Sequence, residues 1–285
     1  MLWIPDGYLE KLIEEDLHLT DLTTMTLNLG GQTGQVTAAP KTAGLVAGVE
    51  AAVRMFELAG TSAELLVPSG QNAEAKEPIL RATGLASRLH SVYKAAQILM
   101  EYSSGIAGRT ALLVREARRV SPDVEILVTR KHFPGSKRLS LAAALAGGAS
   151  IHRTGLSDSI LFFNTHLVFA GGLKGLTQQL GTIKKRFPEK KIAAEAADFQ
   201  EALLLAEAGA DVIQCERFDA ALMEWTVTAI KSQKPQTIIL ATGSITADNA
   251  AALAATGVDG LVTSWPYYGK PFDISMAFQA LGPKN

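Results

Sequence analysis

The sequence predicts an α/β protein, with an irregular α+β region first and a barrel of repeated βα units after it. Three observations carry that prediction. Beyond residue 120, short β-rich runs alternate with helical stretches at the spacing of βαβ units, which build parallel sheets. Before residue 100, helix and strand signals mix without that rhythm. No Gly-x-Gly-x-x-Gly opens the first βα unit, which counts against a dinucleotide-binding open sheet.

In chain order, Leu9–Leu17 places apolar residues at helical spacing. Gly34–Gly48 alternates small, β-branched and polar residues with glycines, as short antiparallel strands do. Val49–Ala59 returns to helical spacing. A long helical stretch is expected from about Ser87 to Arg119, interrupted or bent near Ser103-Ser104-Gly105. The β-rich runs follow at Val124–Thr129, Ala149–His152, Ile160–Phe163, Lys191–Glu195, Val212–Cys215, Thr237–Ala241 and Gly260–Thr263. Helical stretches such as Leu141–Ala146, Gln200–Ala208, Ala220–Lys231 and Ala247–Ala255 lie between them. Six or seven such units, with strands ending in polar residues or glycine, suit a barrel. A last amphipathic stretch, Ile274–Leu281, is placed to return to the first domain.

Bulk properties bound the function. The 285 residues allow two modest domains or one barrel with an appendage, and 47% hydrophobic against 19% charged residues is an ordinary globular balance. A formal net charge of −1 gives no general attraction to nucleic acid or to an anionic membrane, so anion binding must come from locally clustered cations. Cys215 is the only cysteine, which excludes an internal disulfide or a thiolate metal cluster, and its apolar surroundings point to an inert buried thiol. The first residues turn acidic without a basic segment and apolar core, so no signal peptide is expected. No window reaches ~18 uninterrupted apolar residues, so no membrane span is expected and the protein reads as cytoplasmic.

In a barrel, chemistry sits at the carboxyl ends of strands. Those ends carry Thr129-Arg130-Lys131-His132, His152-Arg153, Glu195, Glu216, Thr242-Gly243-Ser244 and Thr263-Ser264. Cations cluster on the early strands, carboxylates on the middle ones, and hydroxyls and glycine on the late ones. Such an order suits a sugar phosphate: a Gly-Ser turn before a helix for phosphate, two carboxylates for Mg²⁺ or ribose hydroxyls, and arginines for a carboxylate. Singly, each has an ordinary reading, as a solvated loop charge, a satisfied interior histidine, a surface acid or a common turn. Their joint placement at strand ends argues for a site.

The run Thr129-Arg130-Lys131, Pro134-Gly135, Gly147-Gly148, His152-Arg153, Leu156 and Asp158 resembles the signature of the quinolinate phosphoribosyltransferase (nicotinate-nucleotide pyrophosphorylase) family. Asp21-Leu22-Thr23-Thr24, Ala43–Gly48, Ser104–Ala107, Gly209-Ala210-Asp211 and Gly257-Val258-Asp259 are similar to the same family. Thr263–Pro271 resembles its ModD-type branch of pyrophosphorylases, associated with molybdenum transport. The resemblance implies an N-terminal α+β domain (1–103, joined by 272–285) and a seven-stranded incomplete α/β barrel (104–271). It implies transfer of phosphoribosyl from phosphoribosyl diphosphate to a small carboxylate acceptor, with Mg²⁺, in a homodimer whose site is shared between protomers. Arg130, Lys131, His152, Arg153 and His166 would line the acceptor pocket, and Lys94 would reach it from the partner. Glu195 and Glu216 would face ribose and Mg²⁺, with Lys131 beside them in catalysis. Thr242, Gly243, Ser244, Thr263 and Ser264 would cradle the 5′-phosphate.

Departures from the family pattern narrow the acceptor. Lys94 stands where the family has arginine, Phe163 replaces a lysine, Ser136-Lys137 replaces Leu-Arg, and Ala149 replaces a glycine. Removing cations weakens the case for quinolinate, whose two carboxylates need them. Two other readings stay open: a sugar-phosphate aldolase or isomerase using Lys131, and a catalytically altered binding or accessory protein linked to molybdenum transport.

Overall fold

The structure, a computed structural model, describes residues 2–282. In chain order its elements are α1 (Asp6–Leu17), α2 (Leu22–Thr26), β1 (Thr33–Pro40), β2 (Gly44–Leu45), α3 (Val49–Leu58), β3 (Ser62–Leu65), β4 (Asn72–Ala73), β5 (Leu80–Leu85), α4 (Ala86–His90) and α5 (Tyr93–Arg118). Then come β6 (Glu125–Val128), α6 (Lys137–Ala146), β7 (Ser150–Ile151), β8 (Ile160–Phe162), α7 (Asn164–Leu167), α8 (Gly172–Arg186), β9 (Ile192–Ala196) and α9 (Phe199–Glu207). The chain finishes with β10 (Val212–Glu216), α10 (Ala220–Gln233), β11 (Ile238–Thr242), α11 (Ala247–Ala254), β12 (Gly260–Thr263), a 3₁₀ turn (Trp265–Tyr268) and β13 (Ile274–Ala280).

Two compact units result. One holds the described residues up to Thr110, Phe133–Gly148, and those from Pro266 on; the other holds Ala111–His132 and Ala149–Trp265. The first is built on an antiparallel sheet ordered β13-β1-β5-β3. Strand β1 buries every second residue, which turns Val36 and Ala38 onto the core while the intervening side chains face outward. Helices α3 and α5 cover that face with Met55, Phe56 and Met100, and Ile274 of β13 joins them. The Ile274–Leu281 stretch is thus a strand, registered from Gly34 opposite Ala280 to Pro40 opposite Ile274.

The expected break at Ser103-Ser104-Gly105 is absent, since α5 runs through it, and the chain turns instead at Ser91-Val92, between α4 and α5. Tertiary contact explains these small residues. Ser104 Oγ accepts from the Ala47 amide at 2.9 Å, Gly48 (φ +77°) packs on Ser103, and a Cβ on Gly105 would sit 2.3 Å from the Lys270 carbonyl oxygen. They let other backbone approach the helix, a use that local sequence does not distinguish from helix breaking.

The second unit contains seven parallel strands ordered β7-β6-β12-β11-β10-β9-β8. The curl leaves β7 and β8 as two unpaired edges, an incomplete barrel. Its interior is filled by Leu161, Ala193, Val212, Leu240 and Val262, with Leu127, Phe163 and Ile238 against them. Paired acids fix strand starts. Asp211 accepts from the Ile192 amide and Lys184, and Asp259 accepts from the Ile239 amide and Lys231. No helix among the described residues is long and apolar enough to cross a membrane.

Candidate active site

The apolar cluster sets the parity of the barrel. Side chains alternate along a strand, so residues two positions beyond the interior ones share their face. That places Thr129, Glu195, Gln214, Glu216, Thr242 and Ser264 on the interior side, near the carboxyl ends. Register confirms the neighbours: Gln214 lies beside Glu195, and Glu216 beside Thr242. Above Val262 and Leu127, the Ser264 and Thr129 hydroxyls bond to each other and tie β12 to β6. Thr129 Oγ1 also accepts from the Lys131 amide at 3.1 Å.

Glu195 feels the charge of Glu216. Burial raises the Glu195 pKa, the neighbouring Glu216 charge raises it further, and Lys131 opposes both. Lys131 and Glu195 belong to opposite parts of the sheet, so their interaction crosses the interior. Glu216 is held by Arg217 at 3.3 Å. Gly243 (φ +86°) makes room for that pair, because a Cβ there would lie 2.6 Å from Arg217 Cγ and 2.9 Å from Glu216 Oε1.

The Thr242-Gly243-Ser244 turn stands at the predicted strand end, with Ser244 also left-handed (φ +54°). Helix α11 behind it caps itself. Thr246 Oγ1 accepts from the Asp248 amide at 3.2 Å, and Asn249 accepts from the Thr246 amide at 2.9 Å. Those two amides are therefore engaged within the chain. Thr263 faces the other way. Its buried hydroxyl donates to the Ile245 carbonyl at 2.8 Å and accepts from the Trp265 amide at 3.0 Å, so it shapes the turn.

The cations meet at the open seam. Arg153, following β7, is only 8% exposed, and its guanidinium lies 5.8 Å from the centroid of Phe163, following β8. This cation–π contact therefore spans the two free edges. Burial lowers the Arg153 pKa, Arg130 adds repulsion, and Asp158 opposes them. Asp158 is fixed by the Thr154 amide and hydroxyl, each at 2.6 Å. His166 Nδ1 accepts from the Phe163 amide at 3.0 Å, and its ring lies 5.9 Å from that of Phe163. The His152 pKa is lowered by burial, then by Arg153 and Arg130, with Gln214 opposing. That balance favours the neutral imidazole.

Of the residues singled out on sequence, Arg130, Lys131, His152, Arg153, His166, Glu195, Glu216, Thr242–Ser244, Thr263 and Ser264 all lie in the second unit. Lys94 lies in the first, exposed, with Nζ donating to Gln97 at 3.1 Å. Sequence reasoning missed Gln214. It is 3% exposed in the middle of β10, and its Oε1 has no hydrogen-bond partner among the described residues. The available signal was an amide at an interior-facing position of an otherwise apolar strand. Cys215, on the opposite face, is fully buried and carries no partner in the site.

The description "Quinolinate phosphoribosyl transferase, N-terminal domain" matches residues 21–104. Its C-terminal counterpart matches residues 106–277. The chain is 40% identical over 257 residues to ModD of Rhodobacter capsulatus, provisionally named a pyrophosphorylase, covering 90% of this chain and 98% of that protein. It is 32% identical over 279 residues to the ModD of Escherichia coli, covering 98% of each. In fold it is similar to the nicotinate-nucleotide pyrophosphorylase of Ehrlichia chaffeensis, with a TM-score of 0.89 at 20% identity over 98% of this chain and 100% of that one. Two domain models matched in order across residues 21–277, together with relatives of equal extent, show that the chain belongs to the quinolinate phosphoribosyl transferase family.

Proposed function

We propose that this protein is a ModD-like phosphoribosyltransferase that transfers phosphoribosyl from phosphoribosyl diphosphate to a small anionic acceptor and releases diphosphate. The observation that carries this reading is one barrel mouth holding a crowded acid pair, Glu195 and Glu216, together with the buried cation Arg153. Crowded carboxylates favour a developing positive charge. Buried guanidinium favours an anionic ligand.

The reaction is a displacement at the anomeric carbon. The acceptor lone pair forms the new bond to C1, and diphosphate departs with the electron pair of the broken C1–O bond. Positive charge gathers on the ribose in between, and Glu195 and Glu216 stabilise it as carboxylates do in glycoside chemistry. Arg130 and Arg153 hold the acceptor's anionic group, neutral His152 supplies a single N–H, and Lys131 balances the acid pair. The Thr242–Ser244 turn and the Ser264 hydroxyl receive the 5′-phosphate, while Thr263 keeps the turn in shape. Lys94 is assigned to the acceptor of a partner subunit, in a homodimer of the kind the family resemblance implies. Positioning and electrostatics carry the rate in this scheme.

Magnesium suits this donor set. Two carboxylates face the site, and no cluster of three or more His, Cys, Asp or Glu among the described residues could hold an ion alone. Mg²⁺ is commonly bound by one or two carboxylates plus substrate phosphates. When bound, it neutralises charge on the departing diphosphate.

The test is diphosphate release from phosphoribosyl diphosphate and Mg²⁺ with pyridine and purine acids supplied in turn, for wild type and Arg130→Ala. Acid-dependent release that falls at least 100-fold in the variant, with unchanged Tm, supports the reading. Binding of an acid without any release favours the alternative of an accessory binding protein tied to molybdenum transport.

A further inference from the structure

We propose that the acceptor is a planar aromatic acid with one carboxylate and a separate hydrogen-bond donor, its ring against Phe163 and its donor on Gln214 Oε1. This rests on reading the barrel mouth as the acceptor site of a phosphoribosyltransferase.

The floor of the site makes the first half of the argument. Gln214 lies on the interior face of β10, 3% exposed, with an unpartnered Oε1. A buried amide carbonyl left without a donor costs about 1–3 kcal/mol, so the working complex should satisfy it. Its neighbours in register do not. Glu195 on one side is itself an acceptor, and Leu240 on the other is apolar. His152 lies across the barrel and is the one nearby donor, close enough to interact with Gln214, yet the pair does not reach hydrogen-bond geometry and Oε1 stays unpartnered among the described residues. A ligand entering from the mouth would supply the well-placed N–H or O–H that His152 does not.

The seam makes the second half. Arg153 is buried, repelled by Arg130, and rests on an aromatic ring. One carboxylate shared by the two guanidiniums relieves that repulsion. A second carboxylate on the same ring would face Phe163, which offers a hydrocarbon surface packed on the barrel's apolar interior. An unpaired anion there is costly. The wall therefore favours an aromatic monoanion, and the floor favours one that donates.

Calorimetric titration and diphosphate release, run side by side with the full chain and Mg²⁺, test this. The probes are nicotinate, the ring-amino nicotinates and quinolinate. One of the ring-amino acids should bind at least tenfold tighter than nicotinate, and quinolinate should bind most weakly. Gln214→Leu should remove the tenfold preference while leaving nicotinate within about threefold. Phe163→Lys should raise quinolinate binding at least tenfold. Quinolinate as the best wild-type ligand, ring-amino nicotinates no better than nicotinate, or no binding of any probe would each overturn the proposal. The wild-type panel decides even if Gln214→Leu fails to fold. Release driven best by quinolinate sinks this inference and keeps the transferase; the predicted binding order without release supports this recognition and sinks the transferase.

Discussion

Replacing Gly243 by alanine separates backbone strain from damage to the site. Gly243 has φ +86°, where an L side chain is strained by about 1–2 kcal/mol. Its new Cβ would also fall 2.6 Å from Arg217 Cγ and 2.9 Å from Glu216 Oε1. Both atoms belong to flexible side chains, so the fold can yield by moving them, and the Glu216 carboxylate is what moves. Gly209 provides the control: φ is +89°, and nothing lies within 4 Å of its virtual Cβ. Each variant should lose roughly 2–8 °C of Tm, from about 2–4 °C per kcal/mol in a domain of this size. Only Gly243→Ala should lose phosphoribosyl diphosphate-dependent turnover, by about 100-fold, the scale of a displacement near 1 Å. Thermal melts and diphosphate release on both proteins read the two effects. Equal activity in the two variants would refute the idea that Gly243 exists to seat Glu216.

Other perturbations follow the same logic. Glu195 carries a raised pKa, so the folded state holds its proton more tightly than the unfolded chain does. Stability from that group is present below the ordinary glutamate value of about 4.3 and lost as pH rises through the folded value. Glu195→Gln should therefore melt above wild type at pH 7, lose that margin in acid, and be inactive; a lower Tm at pH 7 contradicts the sign. Gly105→Ala gains about 1 kcal/mol of helix propensity but places Cβ 2.3 Å from the Lys270 carbonyl oxygen, so calorimetry should find a net loss of roughly 1–2 kcal/mol. The Cys215 thiol is fully buried and its pKa is pushed up to about 12 by desolvation. Thiol reagents should label it only as fast as the protein unfolds, and prompt labelling in native buffer would contradict that placement.

The barrel was legible because each βα unit announces itself locally, as an apolar run between helical stretches. All seven parallel strands fall within the expected β-rich runs or one residue beyond them. Strands β3 and β5 were not read. Strand β3 is mostly exposed, β5 turns only Leu80 and Ala82 into the core, and their pairing is antiparallel and non-local, so periodicity is faint there. Ser103–Gly105 looked like a helix break because propensity is local, whereas the reason for small residues is the approach of Gly48 and Lys270. At the site, strand-end reading found the cations and acids. It registered Phe163 as a lost charge, but the Arg153–Phe163 contact joins opposite edges of the sheet and has no sequence signature. Gln214 was overlooked because an amide in a short apolar run looks incidental until its strand's inward parity is known.

Product identification tests the central claim most directly. Wild-type protein, phosphoribosyl diphosphate and Mg²⁺ are incubated with each acid, and the mixture is read by mass spectrometry and by the anomeric proton in NMR. The account predicts an acid-specific adduct with a C1–N bond to one phosphoribosyl group, its carboxylate retained, and one diphosphate released per adduct. Consumption of the donor without an adduct, or an intact donor in the presence of a tightly bound acid, would contradict it.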